Sequence, residues 1–82
     1  MTLQLLGTAG CHLCEQAEEL LLPISLQCGK PLTLIDIADG DQAEILVARY
    51  GLRIPVLRCG ERELDWPFDA MAATRFVNEA QD

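Results

Sequence analysis

The chain has 82 residues, half of them hydrophobic and only 5% aromatic, with a formal net charge of -7. That length is one domain, residues 1–82, whose core must come from Leu, Ile, Val and Ala, and the apolar share excludes a disordered chain. The acidic balance speaks against nucleic acid or anionic lipid as partners, and no apolar run approaches the roughly 20 residues that span a bilayer.

Thr2 to Leu6 reads as a buried strand, followed by a small-residue loop, Gly7-Thr8-Ala9-Gly10, that lets backbone approach something closely. From His12 to Leu22, the apolar positions Leu13, Ala17, Leu20 and Leu21 recur at helical spacing, and Pro23 is expected to end that helix or restart a short turn through Gln27. Leu32 to Ile37 is apolar on both faces, the pattern of a central strand in a covered sheet. Asp41 with Glu44 predicts a capping box for a second helix. Ala43, Leu46, Val47 and Tyr50 form its apolar stripe, with Gly51 at the residue beyond its end. Val56 to Cys59 and Arg62 to Asp65 read as two short strands joined at Gly60-Glu61. Asp69 caps a third helix with Ala72, Ala73, Phe76 and Val77 inward. The order is β-α-β-α-β-β-α.

Cys11-His12-Leu13-Cys14 stands at the junction of the first strand and the first helix. The first turn of a helix carries unpaired N–H groups and the positive end of the dipole. A thiolate at Cys11 is stabilised there, which lowers its pKa and raises its reactive fraction at neutral pH. Cys14 lies one turn further in, placed to attack a bond made by Cys11. Beside a β-α-β pattern, this spacing is that of a dithiol redox site. The other use of two such thiols is a soft metal, but a tetrahedral zinc site needs two more ligands, and Cys28 and Cys59 do not form a second C-x-x-C. Cys59 reads as a small strand hydrophobe and Cys28 as a loop residue, both structural. His12, if protonated, is a candidate for stabilising the Cys11 thiolate; as a first-turn residue it reads rather as a solvated side chain.

The element order, with C-x-x-C after the first strand and Ile54-Pro55 before the third, resembles the thioredoxin-like fold, and in size the small glutaredoxin-like proteins. The resemblance covers nearly the whole chain. It implies a four-stranded mixed sheet flanked by three helices. It also implies a cis Pro55 packed beside the dithiol, with the backbone of Ile54 pairing with an extended thiol substrate. Arg53, and Arg49 nearby, fall close to that loop and are candidates for holding a substrate carboxylate. The motif departs from ordinary glutaredoxins at His12 and Leu13, at Thr8 to Gly10 before the motif, and at Arg53-Ile54 before the proline. The glycine pair that approaches glutathione is missing, and Leu64-Asp65-Trp66-Pro67 stands in its place.

The expectation is a monomeric cytoplasmic dithiol-disulfide oxidoreductase with catalytic Cys11 and Cys14, substrate contacts at Arg53, Ile54 and Pro55, and no cofactor or metal. Its partner is a disulfide-containing protein or a small thiol; the electron donor is not assigned. The rival readings are a soft-metal carrier and a thioredoxin-fold interaction module without turnover. A lack of a basic, apolar leader pattern at the N-terminus underlies the choice of compartment.

Overall fold

The computed structural model describes residues 2–79. Strand β1 (Leu3–Gly7) leads into helix α1 (His12–Cys28), strand β2 (Leu32–Asp36), helix α2 (Ala43–Tyr50), strands β3 (Val56–Cys59) and β4 (Arg62–Asp65), and helix α3 (Ala70–Glu79). The four strands form one sheet in the order β2-β1-β3-β4. β1 runs parallel to β2, with Leu5 opposite Leu34, and antiparallel to β3, with Leu6 opposite Val56. β3 and β4 form the hairpin that Gly60-Glu61 predicts, with Gly60 at φ 62°.

Side chains alternate across β1, and the two faces receive different partners. Leu3 and Leu5 face a cluster with Ala17, Leu21 and Ile24 of α1 and Ala73, Phe76 and Val77 of α3. Leu6 faces the other side, in a smaller cluster with Ile37, Tyr50 and Val56.

Four local expectations are corrected. Pro23 does not end α1, which runs on to Cys28. An interior proline costs about 3 kcal/mol, but full burial of Leu21 and Ile24 returns roughly 1.5–3 kcal/mol each, so packing outweighs the break. The helix ends instead at Gly29, at φ 67°, whose N–H donates to the Ser25 carbonyl. β2 is an edge strand rather than a central one, and Leu34 is 54% exposed on it. α2 begins after Gln42 with no side-chain cap, so Asp41 and Glu44 make no capping box, and Gly51 is right-handed at φ -55°. Within the proposed apolar stripes, Leu13, Val47 and Ala72 are exposed. The cap of α3 is as read: the Ala72 N–H donates to Asp69 Oδ1 at 2.7 Å.

α1 and α3 are tied at their ends by Lys30. Its Nζ donates to the Val77 carbonyl at 2.8 Å, and its own carbonyl accepts from Ser25 Oγ at 2.5 Å. This places a cation at the C-terminal end of α3, where the helix dipole is negative. Phe68 is buried in the α1/α3 cluster, and Trp66 meets it edge-on at 5.0 Å, so both aromatic residues pack the approach to α3.

Candidate active site

The first strand ends at Gly7, and a short turn returns the chain to the start of α1. In that turn Gly10 adopts φ 77° and the Cys11 N–H donates to the Thr8 carbonyl at 3.4 Å. Cys11 is the N-cap of α1: its backbone is extended, its carbonyl accepts from the Glu15 N–H at 3.1 Å, and its Sγ accepts from the Cys14 N–H at 3.2 Å. One of the helix's orphan donors therefore points at the Cys11 sulfur, as a Ser or Asp cap would receive it. Cys11 and Cys14 are joined as a disulfide, with Cα atoms 5.2 Å apart.

The two sulfurs differ in exposure. Cys11 is half-buried, whereas Cys14 is 9% exposed. Cys14 packs directly on the strand end: a Cβ at Gly7 would lie 2.7 Å from Cys14 Sγ. Only glycine leaves room for that sulfur, which gives a physical reason for the glycine at position 7. His12 is exposed, with Nδ1 3.7 Å from the Glu15 carboxylate.

The Ile54–Pro55 peptide bond is cis. The antiparallel register, Leu6 opposite Val56, puts the start of β3 at the end of β1 that leads into the dithiol turn, so the fold brings Ile54 and Pro55 to the dithiol end of the sheet. Pro55 is buried, and its carbonyl accepts from the Trp66 N–H at 3.2 Å. The N–H groups of Arg53 and Ile54 both donate to the Tyr50 carbonyl, at 2.8 and 3.0 Å.

Arg53 is engaged by two carboxylates of β4. Its Nε and Nη2 grip both oxygens of Asp65, at 3.1 and 2.6 Å, and Nη2 also reaches Glu63 at 2.8 Å. Glu63 further accepts from the Tyr50 hydroxyl at 2.5 Å, and that hydroxyl accepts from Arg58, which also donates to Gln4. The Tyr50 hydroxyl and then Arg53 hold the Glu63 carboxyl below its usual pKa, and Arg53 does the same for Asp65. Arg49 is peripheral, 4.0 Å from Glu63 and largely exposed. Sequence reasoning missed this network. Its signal was present: the two-residue turn at Gly60-Glu61 sets Arg58 opposite Glu63 across the hairpin.

Cys28 and Cys59 are free thiols. Cys59 is buried in the α1/α3 core, and Cys28 packs against it with Sγ 3.8 Å from Asn78 Oδ1. Among the described residues, no three His, Cys, Asp or Glu side chains come together around a point that would suit a metal ion. Among the described residues, no helix is long and apolar enough to cross a membrane.

On the other side of the disulfide from the β3 loop, a groove of about 300 Å³ opens between α1 and the end of β2. Both cysteines line it, with an apolar floor from Leu5 and Leu34 and a rim that includes Glu15, Glu18 and Asp36.

No curated protein matches the chain. The X-ray structure of a Northeast Structural Genomics target protein from X. campestris is similar to it, with 38% identity and a TM-score of 0.78 over 95% of this chain and 97% of that one. The family model of the glutaredoxin-like domain (DUF836) matches residues 2–81. Strand order, helix placement and these two likenesses agree on a thioredoxin-like architecture, and the chain belongs to the glutaredoxin-like domain family (DUF836).

Proposed function

We propose that the protein is a dithiol-disulfide oxidoreductase in which Cys11 is the nucleophile and Cys14 the resolving thiol. The observation that supports this most is the asymmetry of the pair: Cys11 is half-buried at the helix cap with an N–H aimed at its sulfur, and Cys14 is buried against Gly7.

In the reduced protein, the Cys11 thiolate attacks one sulfur of a partner disulfide. A bond forms between Cys11 and that sulfur, and the partner's other sulfur leaves as a thiolate. Cys14, as its thiolate, then attacks Cys11 Sγ and displaces the second partner thiolate. Two electrons pass from the dithiol to the partner, and the protein is left with the Cys11–Cys14 disulfide, which an external thiol donor reduces again. The helix N-terminus favours the anion on Cys11 before it attacks the partner. Ile54 and Pro55 receive the partner's backbone. Because the Ile54 N–H is already donated to Tyr50, that pairing falls to the Ile54 carbonyl. Two unpaired cysteines, Cys28 and Cys59, suit a reducing cytoplasm.

A Cys14→Ser variant tests the reading. It should hold its partner as a mixed disulfide on Cys11 that a reductant releases, while Cys11→Ser holds none. In the reduced wild type, Cys11 should alkylate faster than Cys14 at pH 6. Absence of exchange with any peptide disulfide, with one soft metal ion bound per chain after anaerobic purification, would turn the reading to a metal carrier. Absence of both would leave an interaction module.

A further inference from the structure

The groove beside the disulfide carries three carboxylates on its rim, from Glu15, Glu18 and Asp36, and among the described residues no basic side chain lines it. Its floor is apolar, and Leu34 is left 54% exposed there because β2 is the sheet edge. β1 lies between β2 and β3, so the groove and the Ile54–Pro55 loop flank the dithiol from opposite sides. A partner segment whose cysteine meets Cys11 and whose backbone crosses Pro55 must place a neighbouring residue over the groove.

We propose that this groove selects the partner: it takes the side chain of a lysine or arginine lying within a few residues of the reactive cysteine in an extended peptide segment. The inference rests on the dithiol-exchange reading and adds the substrate class to it. A long basic side chain fits both halves of the site. Its methylene stem covers Leu34, and its charged head reaches Glu18 and Asp36 at the rim. Glu15 contributes less, since its side chain is largely exposed to water. An acidic segment meets three like charges there and the wider field of a chain with net charge -7.

The test uses two short unreactive peptides with S-methylcysteine at the centre. They differ only in carrying lysine or glutamate two residues away, and each is titrated into the oxidised protein while backbone amide shifts are followed. The lysine peptide should shift amides in Thr8 to Glu18 and Leu34 to Asp36. Its Kd should be about fivefold lower than that of the glutamate peptide at low salt, the sum expected of a few exposed charge contacts. The ratio should fall below about twofold in a Glu18→Gln/Asp36→Asn double variant. It should persist in a Glu44→Gln/Glu61→Gln control, which removes the same charge from exposed positions outside the groove. No binding by either peptide, equal affinities, shifts outside the groove, or an equal loss in the control overturns the proposal. Binding is read without turnover. A lysine preference in a protein that exchanges no disulfide keeps the groove and sinks the oxidoreductase reading; exchange without the preference does the reverse.

Discussion

The two faces of the sheet are held by different physics. On the α1/α3 face, Leu3, Leu5, Leu21, Leu57 and Val77 are buried among apolar neighbours, and their contribution is area removed from water. On the α2 face, a small apolar cluster around Leu6 and Val56 is bordered by a charged network in which Tyr50, Glu63, Asp65 and three arginines, Arg49, Arg53 and Arg58, share contacts. The first face fixes where α1 begins, and therefore where Cys11 and Cys14 stand. The second holds the Arg53–Pro55 turn to α2 and β4. The dithiol is thus anchored by non-directional burial, and the loop facing it by directional bonds between charged groups.

The largest expected effect follows from removing burial under α1. Leu21→Ala empties a fully buried position and should cost about 3 kcal/mol in urea unfolding, with the slope unchanged. A loss below 1 kcal/mol would mean that α1 is not held by that face. Gly7→Ala comes next. Its added Cβ would meet Cys14 Sγ at 2.7 Å, so the helix start must shift, at about 1–3 kcal/mol. The same variant should alter the amide shifts of Cys11 to Glu15 while leaving those of Glu63 and Asp65 in place. A uniform change on both faces would contradict the separation drawn above.

The face that carries the dithiol was the more legible one. Alternation in β1, helical spacing at Ala17 and Leu21, and the Asp69 cap are local signals, and each led to the observed element. Pro23 misled because local propensity cannot see Leu21 and Ile24 entering a core. In Leu32 to Ile37, apolar residues on both faces look the same whether or not a further strand lies alongside. Leu32 packs toward α1 and Ile35 toward α2, while the open edge leaves Leu34 exposed. The Asp41–Glu44 spacing matched a cap, yet the helix started past Asp41, a shift of the size at which helix boundaries are commonly uncertain. Arg53 is legible as a neighbour of Pro55, but its ion pairs are not. Its partners Glu63 and Asp65 lie on another strand, and only the hairpin register connects them to it.

The smallest effect separates the faces most cleanly, because it depends on pH. Glu63 and Asp65 have folded-state pKa values below their ordinary ones, Glu63 through the Tyr50 hydroxyl and Arg53, Asp65 through Arg53. A carboxyl with a depressed folded pKa binds protons more readily in the unfolded chain. Its contribution is therefore complete above the unfolded value and is lost as pH falls through the folded one. The ordinary values are 4.5 for Glu63 and 3.8 for Asp65, so the loss begins near pH 4.5 and continues below it. Glu63→Gln keeps an acceptor for Tyr50 and Arg53 but removes the charge. At pH 7 it should cost on the order of 0.5–1 kcal/mol, discounted from a fully charge-assisted bond because water still reaches the site. That gap to wild type should narrow as pH falls below 4.5 and should also shrink at high salt. The Leu21→Ala gap should stay level over the same range, since among the described residues the α1/α3 cluster holds no carboxylate or histidine. Urea unfolding of the three proteins between pH 7 and pH 3 makes the comparison. If the Glu63→Gln gap is flat with pH, the Arg53–Glu63–Asp65 network is not what holds the loop opposite the dithiol.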